Sequence, residues 1–175
     1  MNRERLVAWN LEIQRAHHSL EAALNAARVS VSTGAPVDSL AANLILRCRG
    51  FCAALDDHHR SEDTALFPRL LAEAPELSDA MATLRQDHRA LAGLLADFEE
   101  SLAGLCAPDD AQRDQLDAQL DRIEAVMKKH FSDEERHLHT ALRRFNADPS
   151  EKDALLGSRF DVTKRAHGHP APPGS

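Results

Sequence analysis

His58-HRS-Glu62 and His130-FSD-Glu134 are two copies of one pattern, an imidazole and a carboxylate four residues apart. Each copy follows another histidine, His17 by 41 residues and His88 by 42. On a helix, side chains at i and i+4 leave from one face, one turn apart. Both pairs fall on otherwise apolar stripes that carry no Lys or Arg. A buried carboxylate without a partner costs on the order of several kcal/mol, so two of them among four imidazoles require positive charge in their midst. Metal ions supply it. Four His and two Glu suit two adjacent divalent or trivalent ions, each held by about two nitrogens, with the carboxylates bridging. Such mixed ligation favours iron or manganese over calcium and magnesium, and the lack of cysteine ligands argues against structural zinc. One His on an apolar face is usually a satisfied core residue, and one HxxxE pair arises easily by chance. One inward His from each of four helices, with both Glu in register, favours a metal centre over that bland reading.

The elements that must position these groups read as four long helices. Residues 2–32 set Leu6, Ile13, His17, Leu20 and Leu24 on one face, and Gly34-Ala-Pro36 breaks that helix. A second helix over about 39–73 carries Leu44, Cys48, Phe51, Leu55, His58, Glu62 and Leu66, with a kink predicted at Pro68 and an end at Ala74-Pro75. The third, about 77–105, carries Met81, Leu84, His88, Leu91, Leu95, Phe98 and Leu102. The fourth, about 110–145, carries Leu116, Leu120, Ile123, Met127, His130, Glu134, Leu138 and Phe145. Asp148-Pro149 reads as the N-cap and first position of a short helix to about Leu156. The Pro/Gly-rich end, RAHGHPAPPGS, reads as a disordered tail. Short connections between long helices predict an all-α, up-down-up-down four-helix bundle over 1–148, with 149–175 a short helix and flexible tail. The pattern H…HxxxE makes it one helix hairpin used twice.

Composition agrees with a soluble helical chain. Aromatic residues are 4% and Tyr is absent, while Ala and Leu abound. A net charge of −7 with no basic cluster argues against nucleic acid. No apolar run is long enough to span a bilayer and the start, MNRERLVAWN, has no apolar signal segment, so a cytoplasmic location is expected. Arg outnumbers Lys 17 to 4, as in a GC-rich bacterial genome. Cys48 and Cys52 are one helical turn apart, a spacing that suits two small buried hydrophobes better than a disulfide. Cys106, at the end of a helix, carries no signal.

The stretch His58-HRS-Glu62-Asp63-TA-Leu66-Phe67-Pro68 resembles the signature of the hemerythrin-like family, also called the HHE cation-binding domain, and His130-FSD-Glu134-Glu135-RH-Leu138 resembles its second copy. The resemblance covers about residues 5–145. It implies that His17, His58, Glu62, His88, His130 and Glu134 are ligands of a non-heme di-iron centre, with iron ahead of manganese and a bridging oxo or hydroxo group. There are departures. Oxygen-carrying members have two His one turn apart on the third helix, where this chain has His88 with Leu84 and Ala92. Their last carboxylate is an Asp one residue further on than Glu134. The poorer nitrogen set argues against reversible oxygen carriage. Some relatives add a carboxylate ligand directly after the second-helix His. His59 stands there, either as a fifth imidazole or as an outer group.

Other titratable groups fall outside this set. His18 lies on a more polar strip than His17. Glu134 and His137 make an ExxH, the unit of ferritin-like sites, but Ala65 removes the matching pair and leaves His137 peripheral. Asp63 and Glu135 read as outer-sphere or solvated carboxylates. His139 points away from His130, His167 and His169 lie in the tail, and Trp9 reads as a core or interface residue. Two function classes emerge. One is an oxidoreductase of oxygenase, oxidase or peroxidase type acting on a small-molecule substrate. The other is a binding module for dioxygen, nitric oxide or peroxide, used in sensing or iron handling.

Overall fold

The computed structural model describes residues 8–32, 37–103, 105 and 108–158, with the backbone alone over 37–45. Leu6, the break at residues 34–36, Cys106 and the tail beyond Ser158 lie outside the described residues. Helices α1 (Trp9–Ser32), α2 (Val37–Ser61), α3 (Phe67–Glu73), α4 (Ser78–Ala103), α5 (Asp110–Arg144) and α6 (Lys152–Leu156) account for most of them, and no strand occurs among them. Helix α1 packs on α2 and α5, and α4 packs on the same two, which closes a ring of four around one core. Every apolar residue of the four sequence stripes whose side chain is described is buried, from Ile13 on α1 to Phe145 after α5. Each buried Leu or Phe contributes about 1.5–3 kcal/mol. Trp9 closes one end, edge-on to Phe145 with ring centroids 5.8 Å apart.

Local chemistry sets the helix ends. Asp109 accepts from the Gln112 backbone N–H at 2.8 Å, and the Gln112 side chain accepts from the Asp109 N–H at 3.0 Å. This capping box starts α5. Asp148 caps the final turn through Ser150, with Pro149 in the first position. Leu155 and Leu156 of α6 enter the core, and α6 rests on α2.

The second helix departs from the kink predicted at Pro68. The irregularity begins a turn and a half earlier, as a π-helical turn over Glu62–Leu66 that ends where α3 begins. The Phe67 N–H donates to the Glu62 carbonyl, five residues back. Pro68 has no N–H for the Thr64 carbonyl, and its ring crowds that oxygen in a regular helix. The wider turn relieves the crowding and keeps the chain helical.

Candidate metal centre

Adjacent residues on a helix point about 100° apart, yet His58 and His59 are both buried, at 0% and 6% exposure. They lie in the last turn of α2, just before the π turn that Glu62 opens. His17 enters from α1, His88 from α4, and His130 and Glu134 from α5. The donors sort into two groups whose ligand atoms lie within 4.8 Å of one another: His17, His58, Glu62 and Glu134 in one, and His59, His88 and His130 in the other. Both carboxylates reach across. Glu62 sets Oε1 3.2 Å from His58 Nε2 and Oε2 3.5 Å from His88 Nε2. Glu134 Oε2 is 3.1 Å from His17 Nε2 and 3.8 Å from His130 Nε2.

The outer ring nitrogens are held from behind. His17 Nδ1 donates to Glu135 Oε1 at 2.7 Å, and His58 Nδ1 donates to the Leu156 carbonyl at 2.8 Å. Carboxylate and carbonyl oxygens only accept, so each Nδ1 carries a proton, and Nε2 is the nitrogen that faces the other donors. His88 Nδ1 lies 3.0 Å from Asp63 Oδ1, while His130 Nδ1 has Asp87 Oδ2 at 3.8 Å. Rings fix the planes. His17 stacks on Phe131 with centroids 3.8 Å apart and 4° between planes, and His88 stacks on His59 at 4.1 Å and 12°.

Burial dominates the electrostatics. It lowers the His58 pKa to about 3, with His17 adding to the effect, and lowers His130 to about 4. His59 falls well below the ordinary imidazole range through burial, with His88 next in effect. Burial would lower His17 too, but Glu134 and Glu135 outweigh it and the net shift is upward. Glu62 is driven well above the carboxylate range by burial and then by Glu134. Burial would also raise Glu134, but the close approach of His17 and then the other surrounding imidazoles hold it low. Without a cation, burial thus disfavours charge on His58, His59, His130 and Glu62, while Glu134 and His17 favour charge on each other.

The donor set fits metal ions. His17 Nε2, His59 Nε2 and all four carboxylate oxygens of Glu62 and Glu134 are buried without a hydrogen-bond partner. Each such atom costs about 1–3 kcal/mol unless something binds it. His88 Nε2 and His130 Nε2 stand 3.0 Å apart, the gap left by two nitrogens about 2.1 Å from a shared ion at near right angles. Metal binding needs deprotonated donors, so it would oppose the upward shifts of Glu62 and His17.

The profile of the Hemerythrin HHE cation binding domain matches residues 12–142, with a further match over 84–169. The chain belongs to the hemerythrin HHE family. No curated protein matches it, and no solved structure does. Membership implies binding of iron or another metal cation, and the two donor groups are suited to that. The further match begins in α4, where the hairpin pattern starts again.

Within this HHE domain the structure brings together His17, His58, Glu62, His88, His130 and Glu134, and it adds His59 to the side of His88 and His130. Asp63 and Glu135 stand outside the two groups, each against the outer nitrogen of a histidine from the opposite hairpin. His18, His137 and His139 are exposed. Sequence reasoning missed Asp87, the stacking role of Phe131 and the Leu156 carbonyl. Phe131 could have been found from its place directly after His130, which matches that of His59 after His58. A backbone carbonyl leaves no mark in the pattern of side chains. No helix among the described residues is long and apolar enough to cross a membrane.

Proposed function

We propose that this chain is a di-iron protein whose centre performs oxygen-linked redox chemistry. One iron would be held by His17 and His58, the other by His59, His88 and His130, with Glu62 and Glu134 shared and an oxo or hydroxo group between the metals. The observation that carries this reading is the division of the buried donors into two adjacent groups, with each carboxylate in contact range of both. When bound, a ferrous pair supplies two electrons to dioxygen or peroxide, or an open position for nitric oxide. The chain's own residues shape the space around it. Glu135 backs the His17 ring from outside. Phe131 stacks on His17 and Phe67 on His88, which walls those rings with apolar surface. Tyr is absent, so no tyrosyl radical can form in this chain. The group around His17 has two imidazoles against three around His88. Its poorer nitrogen supply leaves room for a small ligand there and favours an oxidoreductase.

A second reading, a gas-binding module that releases its ligand unchanged, draws support from His59. Its burial beside His88 and His130 brings the imidazole count to five. Anaerobic reconstitution with ferrous iron, metal analysis, and stopped-flow absorbance on adding oxygen separate the two. Two irons per chain are expected, with the ferrous spectrum lost for good after an argon purge. Its return over repeated cycles would establish the gas-binding reading, and one iron or none would sink the di-iron reading.

A further inference from the structure

The repeated H…HxxxE pattern ends within α5, but the centre does not. Residues 148–158 turn back across the bundle and lie against the segment that carries His58. Three observations fix this strap. Leu155 and Leu156 are buried in the core, at 2% and 0% exposure. The Leu156 carbonyl accepts from His58 Nδ1 at 2.8 Å across a gap of 98 residues. Ser158 N–H donates to Asp57 Oδ2 at 2.8 Å, so the strap is pinned on both sides of that carbonyl.

Gly157 makes the approach possible. Its φ of 87° and ψ of 159° lie in a region that is essentially closed to other residues. A Cβ there would stand 3.1 Å from the backbone N and Cα of His58 and from Asp57 Oδ2. The backbone of α2 cannot recede without moving the His58 ring. The residue therefore has two independent reasons to be glycine, and both concern the neighbour of one donor.

We propose that the Leu156 carbonyl, set in place by Gly157, is a positioning element of the metal centre: it fixes His58 as the Nδ1–H tautomer, so that Nε2 faces the ion. The proposal rests on the reading of His58 as a ligand. It assigns the C-terminal strap to one group of the pair alone. His130, the counterpart of His58 in the second hairpin, has no such carbonyl among the described residues and has Asp87 at 3.8 Å instead.

The test uses the full chain with Gly157→Ala, and separately Asp57→Ala, which unpins the strap without touching its backbone conformation. Long-range ¹⁵N–¹H NMR of the metal-free protein reads the His58 tautomer, and anaerobic titration with ferrous iron reads the affinities. The wild type should show a protonated His58 Nδ1. Both variants should lose that preference and bind one of the two irons about tenfold more weakly, in the range known for groups that orient metal-bound histidines. His58→Ala should abolish binding of that same iron. If His58→Ala leaves iron uptake unchanged, the ligand reading fails and the inference with it. If His58→Ala removes one iron while the tautomer and affinities of the two strap variants match the wild type, the inference alone fails. A structural role alone would lower the melting temperature and leave the tautomer of His58 intact, which would also overturn the proposal.

Discussion

Set side by side, the two hairpins of the bundle match residue for residue around the centre. His17 pairs with His88, His58 with His130, Glu62 with Glu134, and Asp63 with Glu135. The outer carboxylates cross over: Glu135 holds His17 and Asp63 meets His88, each serving the other hairpin. Even the stacked rings correspond, Phe131 on His17 and His59 on His88. The symmetry breaks at the residue after each HxxxE histidine. His59 contributes a nitrogen donor, and Phe131 contributes only a surface. It breaks again behind the ring, where His58 has a carbonyl and His130 a distant Asp87. On the proposed di-iron reading, the doubled scaffold would therefore hold two unequal ions, because the scaffold sets positions while one side chain sets the donor count.

The comparison is broken most completely at the shared carboxylates. Glu62→Ala should weaken loading of both ions by roughly tenfold or more, whereas His18→Ala, His139→Ala or His169→Ala should leave it within error. Elemental analysis after reconstitution checks this, and a full complement of metal in Glu62→Ala would end the shared-ligand reading. The next largest effect comes from making the hairpins alike. His59→Phe should weaken the ion on the His88 side roughly tenfold and spare the other. Equal losses at both, or none, would remove His59 from the donor set. The outer carboxylates sharpen the crossing. Asp63→Asn and Glu135→Gln should each cost up to about tenfold in affinity, on opposite ions, and a double variant should show the losses at separate steps of the titration. The smallest effect lies a few turns away, where Cys48 occupies the place that Leu120 holds in the second hairpin. Burial raises both Cys48 and Cys52 to about 12, so both thiols should resist alkylation at neutral pH in the folded chain and react in denaturant. Rapid labelling of the native protein would show that this part of α2 opens.

The bundle was legible because its period is simple. Steps of three and four placed the apolar stripes, and Gly34, Pro36 and Pro75 separated the first three. The donors were legible for the same reason, since His and Glu on an apolar stripe with no cation are costly enough to need an explanation. What escaped the sequence depends on backbone shape. A regular helix puts His59 about 100° from His58, so periodicity alone could not say which way it faces. The π turn at Glu62 is set by Pro68 acting backwards along the chain, where the pattern of residues points only to a kink. The hold of Leu156 on His58 joins residues far apart through an atom that every residue possesses.

The strap also imposes an order of events. During synthesis, Leu156 follows His58 by 98 residues, which at 5–20 residues per second is roughly 5–20 s. Throughout that interval the His58 ring is unoriented, and for most of it neither His130 nor Glu134 has been made. Each donor group draws on α5, so neither can close on an ion before the second hairpin has emerged. A nascent first hairpin thus offers metal only the fragments of a site, and the centre is assembled late, as one unit.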